Sequence, residues 1–121
     1  DIRNVEAGQG VGYNLTFVAS ATARIATLAV GYGDGLNRTL SNRAQVLVRG
    51  EFAPIVGKVS MDVTTVDITK APGAEIGDEV TLIGEQNGSR ITAADLAAST
   101  QTIAYEVLCN ISKRVPRKYL S

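Results

Sequence analysis

The sequence predicts a mainly β fold, a small β-barrel-like domain with two short helices near the C-terminus. Three observations carry that expectation. Short runs rich in β-branched and aliphatic residues recur, turn-forming residues separate them, and the apolar spacing becomes helical after residue 91. The runs are ARIATLAV (23–30), AQVLVRG (44–50), APIVGKV (53–59), VTTVDI (63–68) and EVTLIG (79–84). Arg49-Gly50-Glu51 lies between two of them, and Pro72-Gly73 and Gly77-Asp78 mark breaks. Asn87-Gly88 is the pair favoured where both central turn positions need positive φ. Many short strands this closely spaced imply a barrel or sandwich. From Thr92 the pattern changes. In TAADLAAS the threonine is a helix cap with Asp95 three residues on, close to a capping box, and apolar Leu96 and Ala97 follow. A second helical run, roughly 102–110, places Ile103, Val107 and Ile111 at four-residue steps, the spacing of a helix face packed on a core. Pro116 stops it from extending far.

With 121 residues the chain has the length of one domain, and residues 1–121 are read as a single unit around one core. The apolar content of 45% is ordinary, and no apolar run approaches the ~18 residues of a membrane span, so a soluble domain is expected. Twelve basic and twelve acidic residues cancel, which leaves no global field to draw nucleic acid or an anionic membrane. The locally basic tail ISKRVPRKYL carries no interleaved aromatic platform and reads as a solvated or subunit-facing strand. One cysteine, Cys109, excludes an internal disulfide and suits a reducing compartment, the cytoplasm. Four Asn-x-Ser/Thr tripeptides, at Asn14, Asn37, Asn87 and Asn110, are read as chance occurrences, Asn110 following an apolar stretch. The chain opens at Asp1 without methionine, so a longer parent protein is expected.

Four places carry residues suited to chemistry. Tyr13 lies in Gly12-Tyr13-Asn14-Leu15-Thr16-Phe17; spacing alone also fits a half-buried strand tyrosine. Tyr32 lies in Gly31-Tyr32-Gly33-Asp34-Gly35, too glycine-rich for an ordinary strand and therefore a tight, exposed turn. A nucleotide-binding Gly-x-Gly-x-x-Gly loop fails there because Leu36 stands at the last glycine position. Met61 and Asp62 end the run Gly57-Lys58-Val59-Ser60-Met61-Asp62, where a methionine is ordinarily packing. Tyr105, in Thr102-Ile103-Ala104-Tyr105-Glu106-Val107, also fits an amphipathic core residue.

Taken in order, these segments resemble the carboxy-terminal domain of the alanine racemase family, enzymes that use pyridoxal phosphate (PLP). The resemblance extends through SNRAQVLVRGEFAPIVGKVSMD, GDEVTLIG, ITAADLA and ISKRVPRKYL, nearly the whole chain. It implies a carboxy-terminal β-barrel domain joined to an amino-terminal α/β barrel that carries PLP, in a head-to-tail homodimer with composite active sites. By that resemblance Tyr13 is the catalytic tyrosine, lent to the partner subunit, with Asn14 where the family usually has glycine. Tyr32 and Arg38 line the narrow access corridor, together with Asp62, Ile103 and Lys58, the last in place of the family's usual arginine. The Met61 backbone amide lies near the substrate carboxylate, and the Tyr105 hydroxyl donates to the PLP phosphate of its own subunit. Ala104 stands where asparagine is common.

The chemistry explains the tyrosine. Racemisation removes the Cα proton from one face of a planar carbon and returns one to the other, so two bases must flank it. To act near neutral pH a phenol with a pKa near ~10 must be stabilised as phenolate by roughly 3.4 kcal/mol, which needs cationic or hydrogen-bonding neighbours. The chain has no histidine, so that partner is expected from the barrel domain. Without histidine, and with one cysteine, a Cys/His zinc site and a Ser-His-Asp triad are excluded within the chain, and no calcium-loop spacing is present. None of Lys58, Lys70, Lys113 and Lys118 lies in a pattern resembling the PLP lysine, so the chain alone is expected to be inactive. The implied role is D-alanine supply for peptidoglycan in a bacterial cytoplasm. Two rivals stand beside it, a serine or broad-specificity racemase domain and a non-catalytic dimerisation domain. A PLP decarboxylase of related architecture is disfavoured, because Cys109-Asn110-Ile111-Ser112 lacks the expected Cys-x-x-x-Asp-like motif.

Overall fold

The computed structural model describes residues 2–5, 10–11, 17–18, 23–36, 38–100, 107, 111 and 115–116. Ten short strands and one helix follow in order: β1 (Ile2–Val5), β2 (Gly10–Val11), β3 (Phe17–Val18), β4 (Ala23–Leu28), β5 (Gln45–Val48), β6 (Glu51–Pro54), β7 (Thr64–Asp67), β8 (Val80–Thr81), β9 (Gly84–Gln86), β10 (Ser89–Ile91) and α1 (Ala93–Thr100). Every pairing is antiparallel. β4 is the middle strand of β1-β4-β7, and β5 is the middle strand of β6-β5-β8. β2-β3 and β9-β10 are two-stranded ladders. The mainly β expectation holds, and among the described residues the ladders form four separate sheets rather than one closed barrel.

Burial follows strand position. In β7, Thr64 and Val66 point inward while Thr65 and Asp67 are half-buried, the alternation of a strand with one covered face. β5 lies between two strands, and its Val46, Leu47 and Val48 are all buried, which is why the run reads as continuously apolar. Ala26, Leu47, Val66 and Ile68 join β4, β5 and the end of β7 in one core, and Leu96 of α1 belongs to it as well. Val107, within the second expected helical run, has helical backbone and packs against this core; the rest of 102–110 lies outside the described residues.

Local signals account for the turns. Arg49 (φ 52°) and Gly50 (φ 78°) make a two-residue hairpin between β5 and β6, closed by the Val48–Glu51 pair. Asn87 (φ 50°) and Gly88 (φ 86°) do the same between β9 and β10. The two hairpin tips meet. Gly50 N–H donates to Gln86 Oε1 at 2.8 Å, and Ser89 Oγ donates to the Gly50 carbonyl at 2.9 Å. A Cβ on Gly50 would lie 2.7 Å from Asn87 Cβ, so the approach itself requires glycine. Helix α1 has a complete capping box: Asp95 N–H donates to Thr92 Oγ1 at 3.1 Å and Thr92 N–H to Asp95 Oδ2 at 2.8 Å.

Two strand expectations need correction. The run 53–59 is strand only to Pro54, with isolated bridges at Ile55, to Val66, and at Lys58. Gly57 then adopts φ 76°, and residues 56–59 are pinned by hydrogen bonds to Thr65 and to side chains instead of by a regular ladder. The run 79–84 narrows to Val80–Thr81, and Gly84 (φ 132°) starts a new strand.

Candidate functional site

Two loops of very different sequence position build the site. The first follows β4. Thr64, 1% exposed, donates its hydroxyl to the Val30 carbonyl at 2.6 Å, which fixes the exit of β4 beside the start of β7. A 3-10 turn, Tyr32–Asp34, follows; the Asp34 carboxylate accepts from Gly31 N–H at 3.0 Å, and Gly35 (φ 107°) closes the turn. The second loop precedes β7. Ser60 N–H donates to the Val63 carbonyl at 3.0 Å, and the Ser60 hydroxyl both donates to that carbonyl and accepts from Val63 N–H. Met61 and Asp62 thus form the tip of a tight bend.

The backbones of the loops are joined directly. Tyr32 N–H donates to the Ser60 carbonyl and Gly33 N–H to the Met61 carbonyl, each at 2.9 Å. This contact explains Gly31: its φ of −154° is ordinary extended backbone, but a Cβ there would lie 2.1 Å from the Ser60 carbonyl oxygen. The requirement is for space, not for an unusual conformation.

Of the residues singled out from the sequence, Tyr32, Arg38 and Met61 share one exposed rim, with Lys58 and Asp62 exposed on the segment that carries Met61. Tyr32 is 43% and Met61 51% exposed, unusually open for large apolar side chains. The Arg38 guanidinium carbon lies 5.4 Å from the centroid of the Tyr32 ring, within cation–π range. The Met61 N–H donates to no acceptor among the described residues. The rim therefore carries an exposed phenol and guanidinium and, at exposed Met61, a backbone N–H with no acceptor among the described residues, and all three are suited to an anionic group. Tyr13, Ile103 and Tyr105 lie outside the described residues.

Sequence reasoning passed over Ser41 and Asn42, whose side chains bond to residues 57–59. Short polar residues after Leu40 were the available signal, but turns commonly carry them for local reasons. Two concavities, of about 560 and 440 Å³, lie elsewhere, and none of Tyr32, Arg38 and Met61 lines either of them. Tyr32, Arg38 and Met61 thus stand on an exposed lip. Among the described residues no group of three or more His, Cys, Asp or Glu side chains is placed to hold a metal ion.

Comparison with known proteins gives a consistent picture. Residues 1–119 match the family described as alanine racemase, C-terminal domain. The chain is 52% identical over 119 residues to alanine racemase 2 of Caldanaerobacter subterraneus subsp. tengcongensis, covering 98% of this chain and 31% of that protein. Alanine racemase from a D-cycloserine-producing Streptomyces lavendulae superposes with a TM-score of 0.92 at 38% identity, over 99% of this chain and 31% of that one. Alanine racemase from Bartonella henselae, solved with covalently bound pyridoxal phosphate, superposes with a TM-score of 0.90 at 37% identity, over 98% of this chain and 32% of that one. The chain thus spans about a third of the length of the proteins it matches.

Proposed function

The chain belongs to the family of alanine racemase carboxy-terminal domains, and we propose that it forms that part of a PLP-dependent racemase interconverting L- and D-alanine. The observation that carries this reading is the grouping of exposed Tyr32 and Arg38 with the N–H of exposed Met61, unbonded among the described residues, on one lip. A small amino acid offers a carboxylate as its anchor, and these donors are of the kind that would receive one.

PLP suits this lip as a neighbour. None of the four lysines lies in a pattern resembling the PLP lysine, so covalent attachment of the cofactor is assigned to the remaining part of the protein. When bound, PLP supplies the electron withdrawal that acidifies the substrate Cα–H. In this reading Tyr13 exchanges that proton on one face, in the site of the partner subunit of a homodimer. The Met61 N–H steadies the carboxylate, and Tyr32, Arg38, Lys58, Asp62 and Ile103 narrow the approach and exclude larger substrates. Tyr105 donates its hydroxyl to the PLP phosphate. Lys58 keeps a positive charge but lacks the two-pronged geometry of arginine, which loosens direction at one corridor position and keeps serine in view as a substrate. The role is D-alanine supply in the bacterial cytoplasm. No helix among the described residues is long and apolar enough to cross a membrane, in keeping with that location.

The test is exchange of the α-hydrogen with solvent deuterium by the intact protein, for each enantiomer of alanine and of serine. The expected result is exchange of both alanine enantiomers, faster than serine, with one direction selectively lost in Tyr13→Phe. Equal or faster serine turnover overturns the substrate assignment, and a Tyr13→Phe protein unchanged in both directions favours a non-catalytic interaction role.

A further inference from the structure

One hydroxyl bridges the Arg38 turn to the chain that leads into the Met61 bend. Ser41 ends the 3-10 turn Arg38–Leu40. Its Oγ donates to the Arg38 carbonyl at 2.6 Å and accepts from the Val59 N–H at 2.8 Å, so one oxygen bridges the backbone of Arg38 to a point two residues before Met61. A serine hydroxyl has one proton and two lone pairs, and this arrangement uses its donor and one acceptor site simultaneously. Asn42, at φ 57°, adds a second clasp by accepting the Gly57 N–H on Oδ1 at 2.6 Å. Beyond Val59 the chain runs directly into Ser60 and Met61, whose carbonyls accept the N–H groups of Tyr32 and Gly33. Arg38 in turn stacks on the Tyr32 ring. The result is a closed circuit: Ser41 to Val59, along the chain to Met61, across to Tyr32, and back through Arg38.

We propose that Ser41 is a positioning residue for substrate binding, setting where the Arg38 guanidinium and the Met61 N–H stand relative to each other. It acts through its bonds to the Arg38 carbonyl and the Val59 N–H. The bond to the Arg38 carbonyl is local and duplicates the Ser41 N–H bond to the same oxygen, whereas the bond from the Val59 N–H spans 18 residues and is the one that ties the two loops. The proposal rests on the racemase reading for its kinetic consequence and on the circuit of hydrogen bonds alone for its structural one.

Both consequences are measured on the intact protein with Ser41→Ala and Ser41→Thr. In Ser41→Ala, KM for both alanine enantiomers is expected to rise about tenfold with kcat within about twofold, as for loss of binding shared by the ground and transition states. The two directions must change together, because enantiomers have equal free energy. Ser41→Thr, which keeps the hydroxyl, is expected to restore KM to within about twofold. Amide hydrogen exchange is read in parallel: Ser41→Ala should accelerate exchange at Tyr32 and Gly33 as well as at Val59, and Ser41→Thr should not. An unchanged KM, a fall in kcat alone, a threonine variant that behaves like alanine, or faster exchange confined to Val59 overturns the proposal. If the unaltered protein does not racemise alanine, the racemase reading fails, while the exchange pattern at Tyr32 and Gly33 still decides the coupling. Should Ser41→Ala not fold, Ser41→Cys, which keeps the shape but weakens both hydrogen bonds, is read in the same two ways.

Discussion

Gly31 shows how one missing side chain places a site. The chain must pass the Ser60 carbonyl so closely that a β-carbon would overlap it, and Tyr32 and Gly33 are thereby presented to the Met61 bend. Gly31→Ala should cost about 2–3 kcal/mol, the range for overpacking a site that cannot yield, because the clash is with backbone on both sides. Denaturant unfolding of the intact protein measures it, and a loss near zero would mean the two loops separate easily. Arg38 makes a different kind of contribution. Its stacking on Tyr32 is exposed and weak in isolation, so Arg38→Ala is expected to leave stability nearly unchanged while raising KM for alanine about fivefold or more, read by steady-state kinetics.

Among the elements, α1 is the most legible from sequence because its start signal is local. Thr92 and Asp95 satisfy each other's backbone N–H groups within one turn, and Thr92→Ala should cost about 1 kcal/mol, measured by the shift in the unfolding midpoint. Their pairing also sets a pH dependence. The Asp95 carboxyl is held below its ordinary value, first by the Thr92 N–H and then by the Thr92 hydroxyl. The Asp78 carboxyl is held low by the Glu75 N–H, and next by Arg49, whose Nε lies 2.8 Å away. A carboxyl with a lowered folded pKa stabilises the fold above its unfolded pKa near ~3.9, and that contribution is lost as pH falls through the folded value. The unfolding temperature should therefore drop as pH is lowered from about 5 to about 3, and Asp95→Asn should flatten part of that slope. The hairpin tip Asn87-Gly88 is legible for the same reason as α1, since positive φ at both positions favours Asn and Gly; at Arg49-Gly50 only the glycine signals the turn, and Arg49 takes a φ of 52° that its residue type does not announce. The run 53–59 was less legible. APIVGKV has the composition of a strand, yet beyond Ile55 its backbone bonds to Thr65, Ser41 and Asn42, and composition does not distinguish a ladder from an extended segment held by side chains.

At the scale of the molecule, stability depends on the convergence of β4, β5 and β7 on one core. Leu47 is fully buried at the centre of β5, and Leu47→Ala should cost about 2–5 kcal/mol, the range for cavity creation at a site with little room to collapse. An equilibrium unfolding curve tests this, and a cost below about 1 kcal/mol would show that the core relaxes around the gap. The same convergence brings residues 30–36 against residues 60–64, since β4 and β7 pair side by side and each loop leaves or enters that pair at the same end. The geometry of the lip is thus tied to the core through Thr64, whose buried hydroxyl bonds to the Val30 carbonyl.

The sequence by itself determined the mainly β character, the hairpin turns, the cap of α1 and the exposed glycine-rich turn at Tyr32, because each depends on backbone preferences and side-chain bonds within a few residues. The resemblance carried by VGYGDGLNR and VGKVSMD pointed to Tyr32, Arg38 and Met61 as one site. Tertiary structure alone decided how those residues meet. The steric demand at Gly31 comes from Ser60, the bridge at Ser41 ends on Val59, and the clasp at Asn42 ends on Gly57. Each partner lies 15 or more residues away, so no local pattern records the contact; the pairing of β4 with β7 brings Gly31 to Ser60, and the β5–β6 ladder, continued by the Ile55 N–H to the Ala44 carbonyl, brings residues 41–42 to 57–59.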